Sequence, residues 1–380
     1  MVTFRRAGQG VVPYAVLCAI LVAGIGSAAH AANWWESVKV KGDLRYRHEM
    51  IDEADKDARH RQRLRARIGI TGTASEYAKV GVQLASGSDD PVSTNQTLDG
   101  GFSTKSIGLD LAYFELSHPK FPGVEVIAGK MKNPFVRPGG TELIWDSDLN
   151  PEGGALTWTR KHDKLTLQAA GGGFWIDERS STEDSWLGAV QGMGSVKLND
   201  KSASLAVGGG FYSVTNAKGF APFYDPDDSF GNSLMPVVSG TDTVMAYANG
   251  FSMLELFAEL NHELGTTPVS VFGHFVTNGD ADSLESGWLV GFTAGSAKKA
   301  GQWEVRYNYR ELKRDAVLGA FTDSDFRGGG TDAKGHEIGG ELALATNMWF
   351  GATYFVNELG ISADETEDFN RLQLDLQLKF

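Results

Sequence analysis

Strict two-residue alternation is the feature of this chain that most limits its fold. From Val38 the even positions read Val38, Val40, Gly42, Leu44 and Tyr46, and the odd ones Lys39, Lys41, Asp43, Arg45 and Arg47. Successive side chains of a strand point to opposite faces, so one face is apolar and the other is wholly charged. In the next segment Leu64, Ala66, Ile68 and Ile70 share one face, and Arg61, Arg63, Arg65 and Arg67 the other. At the carboxyl end Leu372, Leu374, Leu376, Leu378 and Phe380 alternate with Arg371, Gln373, Asp375, Gln377 and Lys379. About ten such residues cross a bilayer when tilted. The apolar rows need a cover. A second sheet supplies it in a soluble sandwich. Lipid supplies it around a closed barrel, where closure leaves no unpaired backbone edge.

Strands of the same kind are predicted near 37–50, 60–74, 77–87, 105–117, 124–132, 153–161, 164–176, 186–198, 201–214, 252–264, 267–277, 286–297, 301–313, 335–345, 347–358 and 368–380. That is about sixteen, and bacterial single-chain barrels have even strand numbers. Alternate joints are tight, at Ser75-Glu76, Lys161-His162-Asp163, Asn199-Asp200, Gly265 to Thr267 and Ala300-Gly301. The others are long and polar, at 88–104, 133–152, 215–251 and 314–334. Membrane barrels have this asymmetry of turns and loops. Trp158, Trp175, Trp186, Trp288 and Trp303 fall near predicted strand ends, where interfacial aromatics belong. In a sandwich the loop asymmetry and the terminal Phe380 strand would be coincidences. The expected fold class is therefore an all-β transmembrane antiparallel barrel.

The first 31 residues read as an export signal. Arg5 and Arg6 precede an apolar run from Val11 to Ile25, and Ala29-His30-Ala31 offers small residues for cleavage after Ala31. The run is shorter than the ~20 residues of a spanning helix. Residues 32–380 are then one barrel domain. Cleavage removes Cys18, the single cysteine, so no disulfide framework holds the mature chain. Arg5 and Arg6 leave too, and the 35 basic residues become 33 against 48 acids, taking the net charge from −13 to −15. That acidity argues against nucleic acid as a partner. The 47 glycines and 11 prolines suit a sheet with close backbone approaches.

Several stretches resemble the proteobacterial "putative porin" family. They are residues 84–98 and 108–114, Gly129-Lys-Met-Lys-Asn-Pro-Phe135, residues 145–153 and 319–326, and the closing Leu-Gln-Leu-Asp-Leu-Gln-Leu-Lys-Phe. Together they span nearly the whole mature chain in order. The resemblance implies an outer-membrane pore, with outer-membrane lipids and lipopolysaccharide around it. The terminal Phe380 resembles the signal read by the barrel-assembly machinery. A third loop folded into the lumen is common among sixteen-stranded porins and would hint at a homotrimer.

The sharpest functional feature is a basic ladder of Lys39, Lys41, Arg45, Arg47, Arg61, Arg63, Arg65 and Arg67. Same-face residues lie about 6.8 Å apart, so four arginines stack cations over about 20 Å. Facing lipid, one mid-bilayer arginine costs about 2–4 kcal/mol in a barrel. The ladder must line the lumen, either as a selective surface or as a plain solvated wall. Loop 133–152 is the candidate constriction, with Glu142, Asp146, Asp148 and Glu152 and a sharp turn at residues 138–140. Those acids either narrow the lumen opposite the basic patch and sort solutes by charge, or lie on an outward loop. Asp225, Asp227 and Asp228 lack EF-hand spacing and read as a solvated acidic loop.

Enzyme signatures are missing: no Gly-x-Ser-x-Gly elbow, no Walker loop, no His-Glu-x-x-His. The eight histidines are dispersed, and neither a metal nor a cofactor is expected. A barrel lipase would need a Ser–His pair from different strands, with His274 or His336 as the candidates. A plugged structural or adhesive barrel is the other alternative. The sequence favours a passive channel and leaves its anion or cation preference open.

Overall fold

The structure, a computed structural model, describes residues 34–198, 203–239 and 242–380. The expected export signal and the Asn199-Asp200 turn lie outside the described residues. The first seven barrel strands are β1 (Lys39–Glu53), β2 (Arg59–Ser75), β3 (Ala78–Ser86), β4 (Ile107–Ser117), β5 (Val124–Lys130), β6 (Glu152–His162) and β7 (Leu165–Asp177). Then follow β8 (Ser185–Lys197), β9 (Ala203–Val214), β10 (Phe251–Leu264), β11 (Thr267–Asn278) and β12 (Ser286–Gly295). The last four are β13 (Trp303–Leu312), β14 (Ala333–Ala345), β15 (Met348–Leu359) and β16 (Glu367–Lys379). Every one of the sixteen pairs antiparallel with its sequence neighbours. The cylinder closes through β1 and β16, in register from Asp43↔Lys379 to Glu53↔Phe369.

The alternation decides which side faces out. Val40, Leu44, Tyr46, Ile68 and Ile70 are exposed on the outer surface, as are Leu376 and Leu378. Arg47 and Arg65 are buried inside at 4% and 7% exposure. The outer apolar row continues around the wall through Val82, Leu156, Val207, Leu256, Val290 and Ile338. Tryptophans mark both rims: Trp175 faces Trp186 across β7 and β8 near the long-loop end, and Trp303 opens β13 at the short-turn end.

Closure has its own local fit. Gly42 and Phe380 exchange both backbone hydrogen bonds, each 3.0 Å. The Phe380 ring lies over Gly42, so a Cβ at residue 42 would fall 2.4 Å from its Cζ. A bulge shifts the phase between β3 and β4. Gln83 pairs with Leu111 and Leu84 with Leu109, which leaves Asp110 as the extra residue. Leu109 and Phe114, five positions apart, therefore both face outward.

The long connections at one end are 54–58, 87–106, 131–151, 178–184, 215–250, 279–285, 313–332 and 360–366. The third and seventh turn into the barrel and divide its interior. Along β7 to β12 most inward residues are apolar, with Gln191, Glu255 and His274 as buried polar exceptions. Phe174, Tyr212, Met253 and Leu289 pack against Phe135, Leu143 and Trp145 of the third loop and Ala316–Leu318 of the seventh. Phe135 meets Tyr212 edge-on at 5.2 Å between centroids, and so does Trp145. Each such buried side chain contributes about 1.5–3 kcal/mol. The arginine-lined part of the lumen lies on the side built by β1, β2, β13 and β16, and a further polar recess with Ser86, Asp110 and Asp148 opens beside β3 and β4.

Candidate pore and its charged wall

Register on the polar side sets like charges opposite each other. Arg45 faces Arg65, and Arg47 faces Arg63 across β1 and β2. Directly opposed like charges destabilise a sheet, so acids must be interleaved. Arg47 forms a bidentate pair with Asp375 on β16, 2.7 Å for each bond. Asp43 receives Arg65 at 3.0 Å and Arg67 at 2.8 Å. The buried Glu49 takes both Arg61 and Arg371. Asp43 and Asp375 lie on the charged rows of the sequence, whereas Glu49 lies beyond the row read there. The loop acids that join them were only partly legible.

Asp148, from the third loop, lies 3.2 Å from Arg67 and accepts the Thr94 hydroxyl at 3.0 Å. Asp325, from the seventh loop, lies 3.0 Å from Arg47 and 2.9 Å from Arg371. Asp148, which the sequence suggested would stand opposite the arginines across a gap, instead lies among them, as does Asp325. The two acids sit on the arginine wall and neutralise it. Against the opposing push of burial, Arg65 and Arg67 hold the Asp148 carboxyl below its ordinary range. Burial is likewise outweighed at Asp325, where Arg371 and Arg47 hold the carboxyl well below it.

The remaining expected acids separate. Glu142 and Asp146 come together with Asp323 of the seventh loop, their oxygens within 4.8 Å of one another. Burial and the nearby Asp323 push Glu142 up to about 8. Burial and Glu142 push Asp146 well up as well. Glu152 is elsewhere: it opens β6, pairs with Lys130 at 2.9 Å and is largely exposed. Lys39 and Lys41 are exposed at the short-turn end of β1. Asp225, Asp227 and Asp228 lie on the fifth loop, where Asp225 and Asp228 cap turns.

Sequence reasoning missed a second charged cluster. Arg310 is 1% exposed and binds Asp323 at 2.7 Å and Glu337 at 2.8 Å, with its guanidinium 4.3 Å above Phe326. Arg306 reaches Glu337 at 3.2 Å. Asp323 and Asp325 had one available signal, their place in the 319–326 stretch that resembles the family.

Two chambers occupy the polar side. The outer one, about 360 Å³, is lined by Arg59, Arg61, Arg63, Arg327 and Arg371 with Glu53 and Asp90. The inner one, about 330 Å³, is lined by Arg45, Arg47, Arg306 and Arg310 with Glu142, Glu304, Asp323, Asp325 and Glu337. Between their linings, Arg371 of the outer chamber binds the Ser324 carbonyl at 3.1 Å and that of Asp325, an inner-chamber residue, at 3.0 Å. A wider recess of about 550 Å³ opens at the short-turn end and shares Thr293 and Glu304 with the inner chamber.

The third loop is fixed from the apolar side. Gln191 accepts the Val136 N–H at 2.7 Å and donates to its carbonyl at 2.9 Å. Gln191 and Tyr212 both donate to Glu255, which also bonds His274 at 2.7 Å. At the loop's tip the Gly139 N–H reaches Glu259 at 2.8 Å. Gly139 has φ +59°, and a Cβ there would fall 2.3 Å from the Phe272 ring, so glycine alone permits this approach. His274 thus serves a structural network, and His336 stacks on Tyr307 across the β13–β14 pair.

A closed sixteen-stranded cylinder with a greasy exterior, a charged interior and an in-folded third loop is the architecture of a diffusion porin. The chain belongs to the family described as "Putative porin", whose model matches residues 50–226 and 244–380. Its function is that of an outer-membrane channel for small hydrophilic solutes. The fold resembles OprB from Pseudomonas putida, with a TM-score of 0.59 and 11% identity over 91% of this chain and 94% of that one. It also resembles Salmonella typhi OmpF in complex with daunomycin, with a TM-score of 0.54 and 12% identity over 90% and 97% of the two chains. A loop-deletion form of OmpT, an outer membrane protein of Vibrio cholerae, matches with a TM-score of 0.52 and 12% identity over 90% and 100%. No curated protein sequence matches significantly.

Proposed function

We propose a passive, non-enzymatic channel whose throat is the passage between the two chambers, at the clasp of Arg47, Arg371 and Asp325. The observation that carries this reading is the contact of loop acids with wall arginines. Asp325 and Asp148 reach the ladder at 3.0 and 3.2 Å, and Asp325 reaches Arg371 at 2.9 Å, so fixed charges of both signs crowd one narrow polar passage. In a low-dielectric throat such charges sort ions by sign and size. The ladder residues Lys39 and Lys41 act at the short-turn mouth, and Glu142 and Asp146 act as packing groups of the third loop. The chain is exported by its amino-terminal signal, is inserted by the barrel-assembly machinery reading the Phe380 end, and sits among outer-membrane lipids and lipopolysaccharide as a homotrimer.

The test is the reversal potential of purified protein in planar bilayers under a salt gradient. Asp325→Asn with Asp148→Asn removes two ionised acids from the arginine wall. The expected result is a shift toward anion selectivity. Stepwise conductance with an unchanged reversal potential would refute the throat assignment while leaving the channel intact.

A further inference from the structure

We propose that the outer chamber is a binding site for small oxyanions carrying at least two negative charges, as carboxylate or phosphate groups. The inference rests on the channel reading and adds a ligand class to it. Around the lumen most arginines already have a carboxylate. Arg47, Arg65, Arg67 and Arg310 each have at least one to themselves or shared with a single neighbour. The outer chamber departs from this pattern. Five guanidiniums line it against two carboxylates, and among the described residues neither lies within 4.0 Å of an arginine: Glu53 pairs with Lys56, and Asp90, which feels Arg63 only through space, accepts the Val92 N–H at 3.0 Å. Arg61 and Arg371 share the single buried Glu49, with Asp325 as a further partner of Arg371.

Arg63 and Arg327 are the core of the site. They come from β2 and from the seventh loop, and they line the same cavity. Arg63 donates to the Asn95 carbonyl at 3.4 Å, and Arg327 to the Gly329 carbonyl at 2.8 Å. Among the described residues neither lies within 4.0 Å of a carboxylate. Asp332, which acts on Arg327 through space, is bound to Arg314 at 2.8 Å. Both arginines also have a buried Nε with no hydrogen-bond partner among the described residues. Buried donors without acceptors are costly, and charged ones more so. An oxyanion in the chamber supplies acceptors and counter-charge together, and two guanidiniums recognise it in the planar, paired way that favours carboxylate and phosphate. The volume of about 360 Å³ suits a small organic acid or a phosphate compound.

The two chambers differ in charge. The outer has five arginines to two acids, while the inner sets four arginines against four acids besides Glu142, which burial keeps protonated at neutral pH. An anion arriving from the long-loop side meets the basic chamber first, whereas one from the short-turn side must first pass the balanced one. The site is therefore sided.

The experiment uses the full mature protein in planar bilayers, with citrate as the probe added to one side at a time. Citrate on the long-loop side is expected to interrupt the open current at lower concentration than citrate on the other. Arg63→Gln with Arg327→Gln should raise the half-blocking concentration about tenfold, since each lost charge-assisted contact is a large share of such affinity. Arg63→Lys with Arg327→Lys keeps both charges but not the paired N–H geometry, and should place the half-blocking concentration between those of the wild type and the Gln pair. Equal block from both sides of the wild type, or an unaltered block in the Gln pair, overturns the proposal. Calorimetric titration of citrate into the folded, detergent-solubilised protein separates this from the channel reading. A silent bilayer with citrate binding that the Gln pair abolishes would refute conduction and keep the site. A conducting channel without citrate binding would do the reverse.

Discussion

The two halves of the interior solve the same problem with opposite chemistry. Along β7 to β12 the wall turns Phe174, Tyr212 and Met253 inward and fills the space with loop side chains. Along β1, β2 and β13–β16 it turns guanidiniums inward and leaves chambers between them. The first half holds the third loop, and the second holds the passage proposed for solutes. A wide cylinder becomes a narrow pore because one side is filled by its own loops. The apolar half thereby sets the position of charges in the polar half, since Glu142 to Asp148 hang from the same loop as Phe135 and Trp145.

The comparison is broken most severely at Glu255, an acidic hub buried within the packed half. It is 1% exposed and is bound by Gln191, Tyr212 and His274. Glu255→Ala leaves those partners unsatisfied, and losing one member of a buried polar set costs about 3–5 kcal/mol. We expect the thermal midpoint of the barrel to fall and open-channel noise to rise as the loop loses its anchor. A midpoint equal to wild type would show that the loop is held by apolar packing alone. Phe135→Ala removes the ring between Phe174 and Tyr212. It should cost about 3 kcal/mol by the usual measure of a buried aromatic, read from the same melting curve.

The polar half should tolerate its own losses better. Arg65→Gln frees one bond to Asp43, which keeps Arg67 at 2.8 Å. About 1–2 kcal/mol is expected for a charged hydrogen bond beside water, together with a measurable change in reversal potential. If Arg65→Gln destabilised the barrel as much as Glu255→Ala, the distinction between a packed half and a solvated half would be wrong.

This division also explains what could be read from the residues beforehand. The alternation in β1, β2 and β16 is strict because water lies on one side and lipid on the other. In Leu165-Thr-Leu-Gln-Ala-Ala-Gly-Gly-Gly-Phe-Trp-Ile176 the period fades, because Phe174 faces a core and Trp175 faces lipid. The strand was still legible there through its length and turns, but its inner face was not. The Asp110 bulge was hidden for a similar reason, since an inserted residue breaks the period without changing composition. At the pore the arginines of β1, β2 and β16 lay on charged rows that parity exposes, whereas Arg306 and Arg310 of β13 were not singled out. Asp323 and Asp325 were hidden, because a loop has no period, and only its path into the barrel sets them beside Arg310, Arg47 and Arg371.

The smallest expected effect, and the finest test of how the halves communicate, lies where the third and seventh loops meet. Asp146 accepts the Ser324 N–H at 2.9 Å, and Asp323, Asp146 and Glu142 lie close together. Burial and Asp323 raise Glu142 from 4.5 to about 8. A carboxyl raised in this way favours the docked loops while it keeps its proton. Below about 4.5 the docked and undocked forms are both protonated and docking is at its strongest. As pH rises from there toward about 8, the undocked form alone releases the proton, and docking weakens. Single channels recorded from pH 5 to pH 9 should therefore become noisier with rising pH, and Glu142→Gln should flatten that dependence. The direction is opposite to that of Asp325, whose lowered value makes its clasp with Arg47 fail only in acid. A noise level that rose toward low pH instead would assign the moving part to the arginine clasp of the polar half. It would leave the contact of the two loops as a rigid part of the packed one.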